Sequence, residues 1–381
     1  MNQRDVARLK RRLNPERNDP ALIHGYYLDG SGRLISAFAQ SAVSLPQEEN
    51  EKYMALFKRL LSGALGQNLL PIQFTPAQLL DSPQYRLLTA LRDSALEDQN
   101  ALEALCQRVV EDYILPSAGD KEQNYLVLLM YDAYDLPPKD QNDQAVPGGE
   151  SETVYSYILC GICPVKRTRP GLSYFVNENQ FHSRDADWMV APPEAGFLFP
   201  AFEDHGPNLG AALYYTKDTA GAHQALLQGL LGADPVPAAQ QRETFQSLLS
   251  DTLSEECSLD LIQSVNQTLS QMLQEQKADK DAPPLKLSKA EISAVLDRCG
   301  ASPQRVQDFA GQYDDAFGQF AQLDAVNIAA PGPMRVETPG ISIKVSPDCT
   351  ELLQTRFIDG RRYILVPADG PVEVNGMSVA P

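Results

Sequence analysis

Two apolar runs, YLVLLMY (Tyr125–Tyr131) and VYSYILCGIC (Val154–Cys163), constrain the fold more than any other feature of the chain. A strand with one wet face alternates apolar and polar residues, whereas these runs do not alternate, which is the pattern of strands buried on both faces. The intervening PPKDQNDQAVPGGESET is too rich in Pro, Gly, Asn and Asp to pack a core and reads as an exposed, mobile loop. Strands joined by such a loop need no crossover helix, so an antiparallel pair is expected.

The same geometry bears on the two cysteines of CGIC. Side chains three apart on a strand point to opposite faces. Cys160 and Cys163 therefore cannot share a disulfide or a metal while the chain stays extended. Gly161 permits a turn, but Ile162 and the unbroken run from Val154 favour extension. A thioredoxin-like site needs a helix opening at its first cysteine, and here Pro164 and RTRPG follow. The six cysteines (106, 160, 163, 257, 299 and 349) are too dispersed for a disulfide scaffold, so reduced thiols are expected.

Around this pair the periodicities change along the chain. Val6, Leu9 and Leu13 recur at helical spacing among Arg4, Arg8, Lys10, Arg11 and Arg12, a basic amphipathic helix closed by Pro15. IHGYYLD and GRLISAFAQ flank Asp29-Gly30-Ser31-Gly32 as a hairpin. Helices are expected over Glu48–Leu61, Tyr85–Leu91 and Leu96–Ile114, and strands at GFLFPAF (Gly196–Phe202) and ALYYT (Ala212–Thr216). LLSGALGQNLL reads as a helix end, since it lacks the lysine and preceding strand of a phosphate loop.

After Lys217 helix formers dominate, with Phe245 to Leu253 and Leu259 to Leu273 tracing amphipathic helices. QKADKDAPP breaks them as a linker. Ser288 with Glu291 is a capping box, Gly300 a stop and Ser302-Pro303 a new start, which together outline a helix-turn-helix. From Pro331 the period becomes two, with turns at Asp359-Gly360 and Asn375-Gly376.

A formal net charge of -18 repels phosphate backbones and anionic membranes over most of the surface, which weighs against nucleic acid as a general ligand. MNQRDVARLKRR has no apolar segment of a secretory signal, and Tyr125–Tyr131 is far shorter than the ~20 residues that span a bilayer. A cytoplasmic protein is expected, with no membrane contact.

Asp132 and Asp135, in YDAYDLPP at the mouth of a central strand, are the most suggestive carboxylates for a general base or a Mg²⁺ site. The simpler reading is that each caps a turn or faces solvent. His182, Arg184, Asp185, Trp188 and His205 lie in one short span with Phe197, Phe199 and Phe202, which could mark a pocket with an apolar wall or a core loop whose aromatics pack. Short histidine spacing and a second cysteine pair are both missing, so no metal set is assigned, and the sequence leaves any cofactor unknown. The acidic residues Asp308, Asp314 and Asp315 outweigh Arg305 on the second helix of the helix-turn-helix outline, which favours a packing or partner-binding hairpin over DNA reading.

In this order, RRLNPERNDPALIHGYYLD, LSGALGQNLL, LLTALRDS, VLLMYDAYDLP, YSYILCGICPVK, TRPGLSYF, DWMVAPPEAGFLFPAF, LYYTKD, ETPGISIKVSPD and FIDGRRYILVPADGPVEVNG resemble a bacterial family, domain-of-unknown-function family four-three-one-seven, over nearly the whole chain. The resemblance implies a bacterial cytoplasmic protein and carries no activity or site.

The expected fold is α+β. An antiparallel sheet with flanking helices fills residues 1–216, a helical region 217–330 with a linker near 276–287, and a small β module 331–381. The favoured function is an interaction or scaffold protein with protein partners and no catalysis. A metal-dependent hydrolase using Asp132 and Asp135 is the first alternative. A nucleic-acid-associated protein using the basic amino-terminal helix is the second.

Overall fold

The computed structural model describes residues 1–14, 21–117, 123–136, 154–203, 206–233, 236–279, 282–318, 321–329, 334–346, 349, 352–368, 370, 372–374 and 377–379. The loop expected over 137–153, the stop at Pro15, the turn at Asn375-Gly376 and His205 lie outside them. The chain forms two compact units, Met1–Ala238 and Ala239–Pro381. The mixed α+β architecture with a large antiparallel sheet is as the sequence predicts.

The first unit contains, in order, α1 (Gln3–Arg12), β1 (Leu22–Leu28), β2 (Leu34–Ser41), α2 (Gln47–Leu60), β3 (Leu69–Gln73), α3 (Pro76–Asp81), α4 (Pro83–Asp93), α5 (Gln99–Val109, continued by a π turn over Val110–Ile114), β4 (Gln123–Asp135), β5 (Val154–Arg167), β6 (Gly171–Phe175), β7 (Gln180–Arg184), β8 (Trp188–Val190), β9 (Ala195–Phe199), β10 (Ala201–Glu203), β11 (Gly206–Asn208), β12 (Ala211–Thr216) and α6 (Gln224–Leu231). The main sheet runs β2-β1-β4-β5-β9-β12-β3 with β8 added to β5, and every pairing in it is antiparallel. The long apolar runs are β4 and β5, paired in register from Gln123↔Lys166 to Asp135↔Val154 at the centre of the sheet.

Alternation along these strands builds two cores. Val127, Leu129, Ile158, Cys160, Ile162, Phe197 and Tyr214 face α4, α5 and α6, whose Leu88, Leu91, Leu102, Leu105, Leu226 and Leu230 cover them. On the other side Leu128, Met130, Tyr155, Tyr157, Leu159, Cys163 and Tyr215 face α1 and α2 through Val6, Leu9, Phe57 and Leu60. Cys160 and Cys163 thus occupy opposite cores, each a buried thiol that burial raises in pKa, Cys163 to about 12. The unit continues past the change of composition at Lys217, because α6 supplies four buried leucines to the first core.

Neither β3 nor the β6–β7 hairpin was expected from the sequence. β3 contains Pro71, which lacks a ladder donor and belongs on an edge strand, and it is the edge next to β12. The segment after β5 forms a separate hairpin, β6–β7, whose ten residues are exposed or half-buried.

The second unit packs α7 (Ala238–Leu253), α8 (Leu259–Ala278), α9 (Lys289–Arg298) and α10 (Pro303–Phe317) around Phe245, Leu253, Val265, Leu269, Val295, Phe309 and Tyr313. Two short strands, β13 (Lys286–Ser288) and β14 (Gln322–Asp324), pair before and after the α9–α10 hairpin, and α11 (Ala325–Ile328) follows. Three further hairpins end the chain: β15 (Met334–Thr338) with β16 (Ile341–Val345), β17 (Gln354–Ile358) with β18 (Arg361–Leu365), and β19 (Val372–Val374) with β20 (Met377–Val379). The β17–β18 turn places Asp359 and Gly360 both at positive φ, 48° and 75°, as an Asp-Gly two-residue turn requires.

Candidate functional site

Asp132 sits near the end of β4, on the face covered by α1 and α2, and is only 6% exposed. β4 carries it there because alternation from Leu128 and Met130 continues through Asp132 and Tyr134. The last turn of α1 delivers Arg12 to it: Arg12 Nε donates to Asp132 Oδ2 at 2.6 Å and Nη2 to Oδ1 at 3.0 Å, a bidentate pair. Tyr157, opposite Asp132 on β5, donates its hydroxyl to Oδ2 at 2.8 Å. The Arg12 guanidinium also lies 3.9 Å from the centroid of the Tyr134 ring, within cation–π range. Tyr155 stacks on Tyr157 at 5.0 Å and donates to the Pro200 carbonyl at 2.7 Å.

Burial, with the Asp132 carboxylate beside it, holds the Tyr157 hydroxyl well above its ordinary pKa, so it stays a donor. Three donors on its two oxygens fill most of the roughly four acceptor sites of the Asp132 carboxylate. The adjacent cavity, lined by Arg12, Asn50, Met54, Met130 and Asp132 among others, has a volume of about 30 Å³. That is room for a water, far below the ~300 Å³ at which small-molecule sites begin. The chemistry here is that of a buried ionic clamp fastening α1 to the sheet.

Asp135 does not join Asp132. The two are three apart on a continuous strand, so Asp135 points to the other face, where it is exposed. Arg12, Tyr134, Tyr155 and Tyr157 were not singled out from the sequence, although continuing the alternation past Met130 identifies Tyr134 and the Asp132↔Tyr157 register identifies Tyr157.

His182, Arg184, Asp185 and Trp188 lie on exposed chain, and none of them lines the cavity beside Asp132. His182 lies on exposed β7, where its Nε2 is 3.0 Å from Glu178 Oε2 and its ring 5.6 Å from that of Phe175. Arg184 reaches Asp187 at 3.8 Å, Asp185 is exposed, and Trp188 pairs with Arg167 at the start of β8. What the segment does display is apolar surface: Leu172, Tyr174 and Phe181 share one face of the β6–β7 hairpin, with Leu172 73% and Phe181 65% exposed.

A second polar group forms where the π turn, the start of β9 and the start of α6 meet. Tyr113 donates to Glu194 Oε2 at 3.0 Å, Lys217 Nζ lies 3.6 Å from Glu194 Oε1, and the His223 ring is 4.9 Å from that of Tyr113. Burial lowers the His223 pKa, against the opposing pull of Asp218 and Glu194. Ala222 and His223 both have positive φ, 51° and 50°.

The basic helix α1 is packed rather than standing free. Lys10 Nζ donates to Ser62 Oγ at 2.7 Å and the Arg8 guanidinium lies 5.3 Å over the Phe202 ring, in addition to the Arg12 pair. On α9–α10, Lys289 pairs with Asp314 at 2.7 Å, and Arg305 lies 3.5 Å from Asp308 and 3.8 Å from Glu256. Among the described residues no cluster of three or more His, Cys, Asp or Glu is placed to hold a metal, and no helix is long and apolar enough to cross a membrane.

A family model described as Domain of unknown function (DUF4317) matches residues 1–377. No curated protein matches the chain.

Proposed function

This chain belongs to the DUF4317 family, and from that premise we propose that it is a non-catalytic interaction or scaffold protein of the bacterial cytoplasm, with a protein as its partner. The β6–β7 hairpin carries the reading. An isolated two-stranded ribbon is marginal in water unless its apolar face is covered, and here Leu172, Tyr174 and Phe181 present such a face to solvent. Exposed apolar patches on soluble proteins commonly mark interaction surfaces. Lys166, Arg167, Arg169 and Arg184 outnumber Asp185 and Asp187 at the base of the hairpin, a local surplus of positive charge in a chain of net charge -18, which favours a partner surface with carboxylates around an apolar centre.

The test is a pull-down from native lysate, with and without nuclease, using the full chain and the Leu172→Ser/Phe181→Ser double variant. A stoichiometric protein captured by the former and lost by the latter, at unchanged thermal midpoint, supports the reading. Capture that is indifferent to the substitutions, or recovery of nucleic acid alone, overturns it. Cell fractionation checks the compartment.

A further inference from the structure

The two edges of the main sheet are treated differently by the sequence. β3 is five residues long, contains Pro71 and is largely buried. β2, at the other edge, is eight residues, LISAFAQS, without a charge or a proline, and its outer side pairs with no strand among the described residues. Natural edges are blunted by prolines, inward charges, bulges or brevity because an open ladder templates pairing with another chain. Apart from a bulge at Ile35, where the register with β1 slips by one residue, β2 carries none of these.

What surrounds β2 points to its own copy as the partner. Antiparallel pairing of a strand with itself about a two-fold axis brings the start of each strand beside the end of the other. At the start of β2, Leu34 and Ile35 are 52% and 49% exposed, and just past its end Val43 is 54% exposed, so self-pairing sets apolar against apolar at both ends. Exposed Arg33, whose Nε also donates to its own Asp29 Oδ2 at 3.1 Å, precedes the strand, and after the strand the chain enters α2 through Gln47, Glu48 and Glu49, so the same operation sets the remaining guanidinium donors towards the partner's acidic helix start. Between these ends the strand has no charge, so no like charges oppose each other across the pair.

We propose that β2 is a homodimerisation edge, at which two copies of this chain join their main sheets by antiparallel β2–β2 pairing. The surface is distinct from the β6–β7 hairpin and does not depend on the function proposed for it. The test measures the mass of the full chain by light scattering over a concentration series, with hydrogen exchange of residues 34–41 at both ends of the series. The expected result is a rise from 41.9 kDa to twice that mass, accompanied by slower exchange in β2. Ala37→Lys, at an exposed position in the middle of the strand, sets two cations near the symmetry axis and is expected to weaken dimerisation at least tenfold while leaving the thermal midpoint of the monomer unchanged. A chain that remains monomeric, a dimer whose β2 exchange does not slow, or a well-folded Ala37→Lys protein that dimerises as before each overturns the proposal. So does protection of β2 only when a different protein is added, which assigns the edge to a foreign strand.

Discussion

Gly161 and Gly196 face each other across β5 and β9, and Leu60 of α2 rests on the pair. A Cβ on Gly196 would lie 2.2 Å from the Cys160 carbonyl oxygen and 2.7 Å from Leu60 Cδ2, whereas one on Gly161 would lie 3.1 Å from Leu60 Cδ1. The first contact involves backbone and cannot be relieved by a rotamer; the second requires only that Leu60 give way slightly. Gly196→Ala should therefore cost about 1–3 kcal/mol by overpacking, and Gly161→Ala less. Urea midpoints of the two variants check the order. Adding Leu60→Ala should offset much of the Gly161→Ala cost and little of the Gly196→Ala cost.

The Arg12–Asp132–Tyr157 cluster distinguishes a structural clamp from a catalytic acid. Asp132→Asn removes the buried carboxylate that takes two Arg12 donors and the Tyr157 hydroxyl, which should destabilise the first unit by about 3 kcal/mol. Asp135→Asn, at an exposed position, should stay within about 0.5 kcal/mol. Two carboxylates crowded into one site would behave in the opposite way, since neutralising either relieves repulsion. Thermal midpoints of both single variants decide the matter, and stabilisation by Asp132→Asn would revive a carboxylate site.

The central strands were legible because β4 and β5 lack alternation, and the opposed cysteines followed from side-chain geometry alone. The same rule applied to Asp132 and Asp135 separates them just as it separates Cys160 and Cys163. Proximity in sequence suggested a pair that the pleat does not allow. Arg12 was seen only as part of a basic stripe, because its partner is 120 residues away and a single sequence carries no trace of that contact. β3 was hidden by Pro71, a residue that argues against strand everywhere except at an edge. The β6–β7 hairpin was hidden by its aromatics, which in composition resemble core and in the structure face water.

His24 gives the first unit a pH dependence of defined sign. It is buried on β1, its Nε2 has no hydrogen-bond partner, and burial lowers its pKa from the ordinary value. The unfolded chain therefore takes up the proton first, at about pH 6.5, and stability should fall as pH drops from there towards the lowered native value. His223, also lowered by burial, adds to the same slope. His24→Leu removes a buried unpaired polar atom, so it should raise stability by about 1 kcal/mol at pH 7 and flatten the profile between pH 6.5 and 5. Urea titrations at these pH values measure both effects; an unchanged slope would show that His24 takes up its proton at the same pH in the folded and the unfolded chain.

In the second unit the capping box at α9 offers a local test. Ser288 Oγ accepts from the Glu291 amide at 3.4 Å, and Glu291 Oε2 accepts from the Ser288 amide at 2.7 Å. Hydrogen bonds from the Ser288 side chain and then its amide hold the Glu291 carboxyl below the ordinary glutamate range. A depressed carboxylate contributes stability above its unfolded pKa, and that contribution fades as pH falls through the native value. Ser288→Ala should cost about 1 kcal/mol at pH 7 and less in acid, as protonation of Glu291 weakens the box. Hydrogen exchange along residues 289–298 reads this directly: the variant should exchange faster than the native chain at pH 7, and the ratio should shrink towards one at pH 3 after correction for intrinsic rates. An equal ratio at both values would mean that the serine caps α9 without help from Glu291.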